Sequence, residues 1–424
     1  MLGQRALAQH RGALHLFFPT GTIVENPGSE RPNLTGEHVS LHTLFSRAQL
    51  RMRLKILDKL ESLKFKARRS QKKASLTMTI RYLGDFDGRR DNNFTLVRIL
   101  FALMVLFGHS YHISGNGYDP ISKLIVPYPW LGDVAVGGFF AISGFLVTAS
   151  FASRGATQYV LSRSVRIYPA IIVYCIVAIL IIGPLGSSVG PAQYFATQPF
   201  NYLKNALLWS WQVNLPYNFL SNPFPGSTNG SMWTLPIEIR SYGLVLALGL
   251  LGLWRNRLAA NIALIGLFYF ALFGSDVSYL LAGENRYHNP MAFFAVGCFA
   301  WVNRDIIPLS WPIVVAALFV QLLFLTGPYR IAINSVCLTY IIFYLVYRVH
   351  HINVDKFGDI SFGVYIYAWP LQQLVWWPGQ SGLTNAILAT ILVVPIAYLS
   401  WWLVEKPALH VKSLLDFRKT AQAA

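Results

Sequence analysis

Charged residues are scarce in this 424-residue chain. Asp, Glu, Lys and Arg together make up 12% of it, while 54% of the residues are hydrophobic. Soluble globular domains usually carry about twice that share of charge. The mean hydropathy is correspondingly high, at +0.43. This composition argues against a large soluble helical protein and favours a protein embedded in a membrane.

Cysteine is also rare, and no cleavable signal sequence is recognisable. The three cysteines, Cys175, Cys298 and Cys337, all fall inside apolar runs. Cysteines in such positions are typical packing residues, so we expect neither a disulfide framework nor a metal site. Residues 1–20 hold two arginines but no continuous apolar stretch. We therefore expect the first membrane helix to act as the insertion signal.

Long apolar runs, in contrast, are abundant. A helix needs about 20 mainly apolar residues to cross the hydrocarbon core of a bilayer. The sequence predicts an all-α, polytopic integral membrane protein with about ten transmembrane helices. The predicted spans are 95–114, 131–152, 167–186, 235–253, 258–274, 288–303, 311–327, 331–348, 359–377 and 385–404.

The distribution of basic residues predicts the orientation of these spans. With the N-terminus placed in the cytoplasm, the cytoplasmic connections and the tail carry twelve Lys and Arg residues, and the opposite side carries four. Cytoplasmic loops of membrane proteins are enriched in Lys and Arg. Both termini are therefore predicted to be cytoplasmic, in a multi-pass protein of the inner or plasma membrane.

Much of the net charge of +17 precedes the first span, since residues 1–91 contain 17 Lys and Arg against eight Asp and Glu. Beside a membrane helix, such a segment is better explained by the anionic cytoplasmic leaflet than by nucleic acid. Residues 43–69 alternate basic and apolar residues at near-helical spacing, which is typical of a helix on the membrane surface. The alternative is a dispensable or partly disordered extension, with the natural start at Met78.

We accordingly divide the chain into a basic cytoplasmic N-terminal extension (1–91), a membrane domain (92–410) and a short basic cytoplasmic tail (411–424). Residues 187–234 form the longest connection outside the membrane, longer than an ordinary linker. Its Pro, Asn, Trp and Tyr residues suit sugar recognition, because aromatic rings stack on the apolar faces of pyranoses. The same residue types are usual at a membrane interface, which is the alternative.

The first predicted span contains ionisable residues. Arg98 and His109 are eleven residues apart, which on a helix is about three turns and a rise of about 16 Å, so both lie on one face. Ionisable groups at membrane depth are costly and usually face a protein interior or a cavity. The alternatives are that Arg98 snorkels to the headgroups and that His109 is a hydrogen-bonded core residue.

Two further groups of charged residues are candidates for chemistry. Glu238 lies near the outer end of the fourth span, at about the predicted depth of His109, where a carboxylate can fix the tautomer of an imidazole. Arg163 and Arg166 are three residues apart and share a helix face, so they can bind phosphate together. The alternative for Glu238 is an interfacial pair with Arg240. The alternative for Arg163 and Arg166 is that they are ordinary cytoplasmic arginines.

Taken in their order along the chain, the motifs of this sequence resemble those of the acyltransferase-3 family. The members of that family are integral-membrane enzymes that O-acylate carbohydrates and some other acceptors. The resemblance covers about residues 92–410 and includes the Arg98–His109 spacing. The other similar segments are GDVAVGGFFAISGFLV (132–147), SRSVRIYPA (162–170), SMWTLPIEIRSY (231–242), GDISFGVYIYAWPLQQ (358–373) and VEKPALH (404–410). Arg240 departs from the family pattern, in which many members have an uncharged residue there.

The resemblance implies an acyltransferase that uses cytoplasmic acyl-CoA, most often acetyl-CoA, as its donor and holds no permanent cofactor. It implies a glycan or lipid-linked saccharide as acceptor. His109 is then the general base, or a nucleophile that forms an acyl-histidine, and Glu238 orients its ring or holds the acceptor. The implied acyl-CoA-binding residues are Arg98, Arg163, Arg166 and Tyr168, and the acceptor or oxyanion candidates are Ser143, Trp233 and Tyr242.

The main alternative is a proton-coupled transporter or a carrier of lipid-linked glycans. Membrane-buried His, Glu and Arg residues also form proton relays. Many transporters contain inverted repeats, and no convincing repeat relates the two halves of this sequence. The ordered motifs therefore favour an enzyme.

Overall fold

The computed structural model describes Lys59, Glu61 and residues 80–89, 91–124, 130–273, 288–324 and 326–411. The chain divides into two compact units, Met1–Met78 and Thr79–Ala424, and the fold below is that of the second unit. The surface helix predicted for residues 43–69 lies outside the described residues, except for Lys59 and Glu61. Nearly all of the predicted tail, from residue 412 onward, also lies outside them.

Regular structure in the described ranges is helical. The main helices are α1 (Phe94–Ile113), α2 (Leu131–Val177), α3 (Thr234–Leu250), α4 (Arg257–Phe273), α5 (His288–Val302), α6 (Trp311–Leu323), α7 (Arg330–Arg348), α8 (Ser361–Leu374) and α9 (Gly382–Ser400). Every predicted span coincides with helical structure, so the all-α fold class is confirmed.

Within the described residues, four helical segments are long and apolar enough to cross a membrane: Phe94–Ile113, Leu131–Gly186, Arg330–Arg348 and Gly382–Val411. The helices α4, α5 and α6 are apolar but shorter. These helices, together with the family established below, indicate a membrane protein. The total of ten crossings and the cytoplasmic position of both termini stay predictions.

The long helix α2 is two limbs joined at Gly155. Gly155 has φ 74° and ψ 173°, a backbone conformation that is essentially restricted to glycine. Phe151 and Tyr159, on either side of the break, have ring centroids 5.5 Å apart, so the second limb turns back along the first. The sequence predicted a connection over residues 153–166, whereas the structure continues the second limb through most of it.

The first limb of α2 packs tightly against α5. A Cβ atom on Gly144 would lie 2.2 Å from the carbonyl oxygen of Phe294, and one on Gly297 would lie 2.1 Å from that of Ala141. Small residues allow such close backbone approach between membrane helices. This packing fixes the limb that carries Ser143.

The connection between α2 and α3 is tied to α2 and α8 by buried hydrogen bonds. Asn229 donates to the Tyr174 hydroxyl at 2.7 Å and to the Ile366 carbonyl at 2.9 Å. The Tyr365 hydroxyl donates to the Ser231 carbonyl at 2.6 Å. The connection is therefore an integral part of the fold, held by buried hydrogen bonds to α2 and α8.

Candidate active site

Three arginines on two helices lie together, and two of them pair with one carboxylate. Arg98 of α1 and Arg163 and Arg166 of α2, here called the arginine trio, line the same space. Asp359, in the turn before α8, pairs through one oxygen with Arg98 at 2.9 Å and with Arg166 more closely still. Ser361 donates a hydrogen bond to its other oxygen at 2.6 Å. One carboxylate thus pairs with two guanidinium groups. Its single negative charge leaves the arginine trio with a net positive charge.

Asp359 is held in its charged form. Arg98 and Arg166 pair with one of its oxygens, and Ser361 donates to the other, so both oxygens are engaged. Its part in the site is to position the two arginines.

The third arginine is linked to a Tyr–Glu pair on α3. The guanidinium of Arg163 lies over the ring of Tyr242, 5.9 Å from the ring centroid. The Tyr242 hydroxyl donates a hydrogen bond to Glu238. Since Tyr242 lies four residues after Glu238, one turn of α3 aligns the two side chains.

These groups surround a narrow cavity of about 130 Å³, here called the inner cavity. The arginine trio is at one end of it, and Ser143, Glu238 and Tyr242 contribute to its walls. At the other end, the Thr234 and Tyr365 hydroxyls lie 2.7 Å apart. The inner cavity thus brings together six residues that the sequence singled out: Arg98, Ser143, Arg163, Arg166, Glu238 and Tyr242.

A second, larger space lies on the other side of the arginine trio. This wide cleft has a volume of about 940 Å³ and shares Leu146 and the trio with the inner cavity. A molecule lying in the wide cleft would therefore reach the inner cavity by passing the three guanidinium groups.

His109 lines neither of these two spaces. Its side chain is buried, with 4% exposed, and its ring lies 4.6 Å from the ring of Trp130 and 4.7 Å from that of Trp369, measured between centroids. Its Nδ1 atom is buried and has no hydrogen-bond partner among the described residues. Trp369 follows Tyr365 by one helical turn, so His109 lies beyond the end of the inner cavity at which Thr234 and Tyr365 meet.

The structure separates His109 and Glu238, which the sequence placed at one depth. Glu238 is paired with Tyr242 in the cavity wall, whereas His109 lies between two tryptophans. The two other candidates, Tyr168 and Trp233, are half-buried, pack against the hydrophobic core and line neither space.

Sequence reasoning missed several residues of the site. Asp359 had no role predicted from the sequence, although an acidic residue that follows a basic connection at the start of the span 359–377 is a usable signal. Trp130 and Trp369 resemble ordinary interfacial aromatics in the sequence. Their contact with His109 depends on how α1, α2 and α8 pack together, which no local pattern specifies.

The comparisons with known proteins agree with this geometry. A family model described as an acyltransferase domain, Acyl_transf_3, matches residues 91–405. This chain belongs to the acyltransferase-3 family. It is therefore an acyltransferase, and the alternative of a transporter or carrier is not supported.

Two relatives cover most of the family domain. Nodulation protein 10 of Rhizobium leguminosarum bv. viciae is 27% identical over 368 residues, which is 78% of this chain and 97% of the relative. An O-acetyl transferase of Shigella phage Sf6 is 26% identical over 333 residues, which is 75% of this chain and 96% of the relative. No solved structure matches the chain.

Proposed function

We propose that this protein transfers an acyl group, most simply an acetyl group, from a coenzyme A thioester to a hydroxyl group of a glycan or lipid-linked saccharide. The observation that carries the proposal is the meeting of the wide cleft and the inner cavity at the arginine trio. Guanidinium groups bind phosphates through charge-assisted, often bidentate hydrogen bonds. The anionic carrier stays at the arginines while its acyl arm enters the inner cavity. The name of the phage relative supports acetyl as the acyl group.

In this proposal the arginine end faces the cytoplasm. Arg154, Arg163, Arg166 and Arg304 all line the wide cleft, and basic residues accumulate on the cytoplasmic side of membrane proteins. Cytoplasmic acyl-CoA then reaches the cleft directly, and the acceptor approaches from the opposite end.

The length of α1 fits the donor. The helix rises about 16 Å between Arg98 and His109, a span comparable with an extended pantetheine arm. A thioester whose phosphates contact the arginine trio therefore reaches the level of the imidazole. This supports His109 as the general base for the acceptor hydroxyl.

The transfer itself is a direct acyl exchange. The hydroxyl oxygen attacks the thioester carbonyl carbon while His109 takes the hydroxyl proton. The carbon–oxygen bond forms, and the carbon–sulfur bond breaks with its electron pair on sulfur. The imidazolium then returns the proton to the thiolate, which gives an ester, free coenzyme A thiol and neutral His109.

Other groups of the inner cavity support the substrates. The Ser143 hydroxyl is buried there, on the part of α2 that packs beside the start of α1, so it lies along the path of the acyl arm rather than at a carbonyl beside His109. Glu238, oriented by Tyr242, accepts a hydrogen bond from the acceptor or from the acyl arm. Tyr242 acts through Glu238, because its hydroxyl proton is directed at that carboxylate.

The two tryptophans impose a condition on this mechanism. Trp369 lies between the imidazole and the inner cavity, and Trp130 also contacts His112, one turn further out. The Trp369 ring must therefore move aside when the thioester reaches His109.

Acetyl-CoA labelled in the acetyl group tests the proposed function. Inverted membrane vesicles that contain the protein are expected to transfer label into a glycan fraction, from which mild alkali releases it as acetate, with one equivalent of free thiol. Vesicles without the protein provide the control. Uptake of intact labelled acetyl-CoA without transfer to glycan would contradict the proposal.

A further inference from the structure

Arg240 is a charged residue of α3 that faces away from the active site. It lies two residues after Glu238, about 200° further round the helix, and shares an exposed stripe with Gly243, Ala247 and Leu250. Among the described residues it forms no ion pair with Glu238 or with any other acidic residue. The interfacial pair considered from the sequence is therefore not formed. A charged group on the outward side of a predicted membrane span is costly, and such residues usually have a function.

The guanidinium of Arg240 is held by a loop of the connection between α2 and α3. It donates a hydrogen bond to the Trp209 carbonyl at 3.0 Å and lies over the Trp209 ring, 5.5 Å from the ring centroid. Trp209 is itself 74% exposed. Arg240 makes no other hydrogen bond with the described residues, so its remaining N–H groups are available to an anion.

The segment before Trp209 is a 3₁₀ helix, Pro199–Leu207, that buries one of its three faces. Side chains three residues apart are aligned in such a helix, and Pro199, Tyr202 and Asn205 form the buried face. The other two faces are exposed and carry Phe200, Leu203, Lys204 and Leu207. A basic residue beside exposed aromatic and aliphatic residues is typical of a segment that lies in the membrane interface.

These exposed residues together with Trp209 and Arg240 are here called the Arg240 surface, and hydrogen bonds anchor it to the fold. The Asn205 side chain donates to the Gln212 carbonyl at 3.1 Å and accepts from the Gln212 amide at 2.7 Å, which fixes the loop that carries Trp209. Trp211 donates to the Asn229 carbonyl at 3.1 Å, and Asn229 is itself hydrogen-bonded to α2 and α8. A molecule on this surface is therefore held at a fixed place relative to the active site.

We propose that the Arg240 surface binds the diphosphate and the adjoining hydrocarbon chain of an isoprenoid-linked saccharide, which is the acceptor of the acyl group. This inference rests on the proposed function and selects the lipid-linked saccharide from the two acceptor classes named there. Arg240 and Lys204 form no ion pair with any described residue, and two cations suit the charge of a diphosphate. A Cβ atom on Gly243 would meet no heavy atom within 4 Å. The stripe of α3 thus has open space for one chain, whereas a phospholipid carries two.

The position of Arg240 along α3 agrees with acyl transfer at His109. Arg240 is six residues after Thr234, a rise of about 9 Å. Thr234 meets Tyr365 at the end of the inner cavity beyond which His109 lies. In the proposed orientation this end is on the side of the membrane away from the cytoplasm. The saccharide therefore extends over at least this distance from the diphosphate to the imidazole.

Binding of geranylgeranyl diphosphate, with uncharged geranylgeraniol as the matched probe, tests this inference. The measurement is a titration by native mass spectrometry of the full-length protein from phosphatidylcholine nanodiscs. Arg240→Gln is expected to weaken binding of the diphosphate by about fivefold or more, the effect of losing one charge-assisted hydrogen bond at a partly exposed position. It should bind geranylgeraniol as the wild type does, and Arg240→Lys, which keeps the charge, should recover part of the affinity for the diphosphate.

Arg255→Gln is the matched control, because Arg255 is exposed and follows the other end of α3. It should bind the diphosphate as the wild type does. Lys204→Gln is an independent variant at an exposed position and should weaken binding of the diphosphate to a smaller extent than Arg240→Gln. All variants are compared at equal melting temperature.

Three outcomes would overturn the inference. In the first, Arg240→Gln binds the diphosphate as tightly as the wild type. In the second, Arg255→Gln loses as much affinity as Arg240→Gln, which would show a general effect of positive charge. In the third, phosphatidylglycerol added to the nanodiscs displaces the diphosphate as effectively as excess geranylgeranyl diphosphate does, which would show a site for bulk phospholipid.

The binding measurement does not depend on acetyl transfer, so the two proposals fail separately. If labelled acetyl-CoA gives no acetylated glycan while Arg240→Gln loses affinity for the diphosphate, the proposed function fails and the lipid site stands. If acetyl transfer occurs and Arg240→Gln binds the diphosphate normally, only the present inference fails.

Discussion

His109→Phe is expected to lower the rate constant of acetyl transfer by about 10²- to 10⁴-fold, the usual effect of removing a general base. Phenylalanine keeps the ring contacts with Trp130 and Trp369 but has no nitrogen to accept the hydroxyl proton. The measurement is kcat with labelled acetyl-CoA, at equal amounts of folded protein as judged by the melting temperature. Because the donor site is more than three helical turns away, the KM for acetyl-CoA should change little.

His112→Phe is the matched control for this prediction. His112 lies on the same helix, three residues further on, and also contacts Trp130, with ring centroids 5.9 Å apart. It is expected to retain kcat within a few-fold of the wild type. If His109→Phe transferred acetyl groups at near wild-type rate while Glu238→Gln did not, the base would be Glu238.

Arg166→Gln is expected to raise the KM for acetyl-CoA by about 10- to 100-fold, since a hydrogen bond to a charged group contributes about 1.5–3 kcal/mol. Arg166 pairs with Asp359, lies 3.9 Å from Glu405 and faces the wide cleft. Arg166→Lys should recover little of the lost affinity for acetyl-CoA, because a single ammonium group cannot replace the planar, two-pronged guanidinium group. The measurement is the full dependence of rate on acetyl-CoA concentration.

A double variant separates donor binding from folding in this prediction. Arg166→Gln leaves the buried Asp359 with Arg98 as its main partner, so part of its effect is a loss of stability. Adding Asp359→Asn removes the excess negative charge and should recover much of the melting temperature while the KM stays high. A normal KM in the double variant would show that Arg166 matters for structure alone.

The helices were predictable because their apolar runs are long and punctuated by polar turns. The second limb of α2 begins just after Gly155, about eleven residues before the membrane span predicted at 167–186. In the structure Tyr159 is buried and its hydroxyl donates to the Tyr242 carbonyl at 2.9 Å. Such a tertiary partner is not visible in local sequence.

The end of the site that carries the arginine trio was more predictable than the end that carries His109. Arg163 and Arg166 share one face of α2 because they are three residues apart, and Arg98 lies near the start of α1. The structure brings all three into one cavity. The predicted depth of Glu238 does not specify the direction in which its side chain points around the axis of α3. In the structure its partner is Tyr242, which lies on the same helix. Depth in the membrane can be estimated from topology, whereas rotation about a helix axis requires the packing.

The position of the reacting carbonyl tests the central claim, which is that the donor thioester meets the acceptor at His109. The measurement is a cryo-EM structure with acetonyl-CoA, a thioether analogue that cannot transfer its acyl group. We predict the ketone carbon within about 4 Å of the imidazole, the reach of one bound hydroxyl, with the Trp369 ring displaced. A ketone beside Glu238 in the inner cavity, with His109 still enclosed by Trp130 and Trp369, would contradict the account.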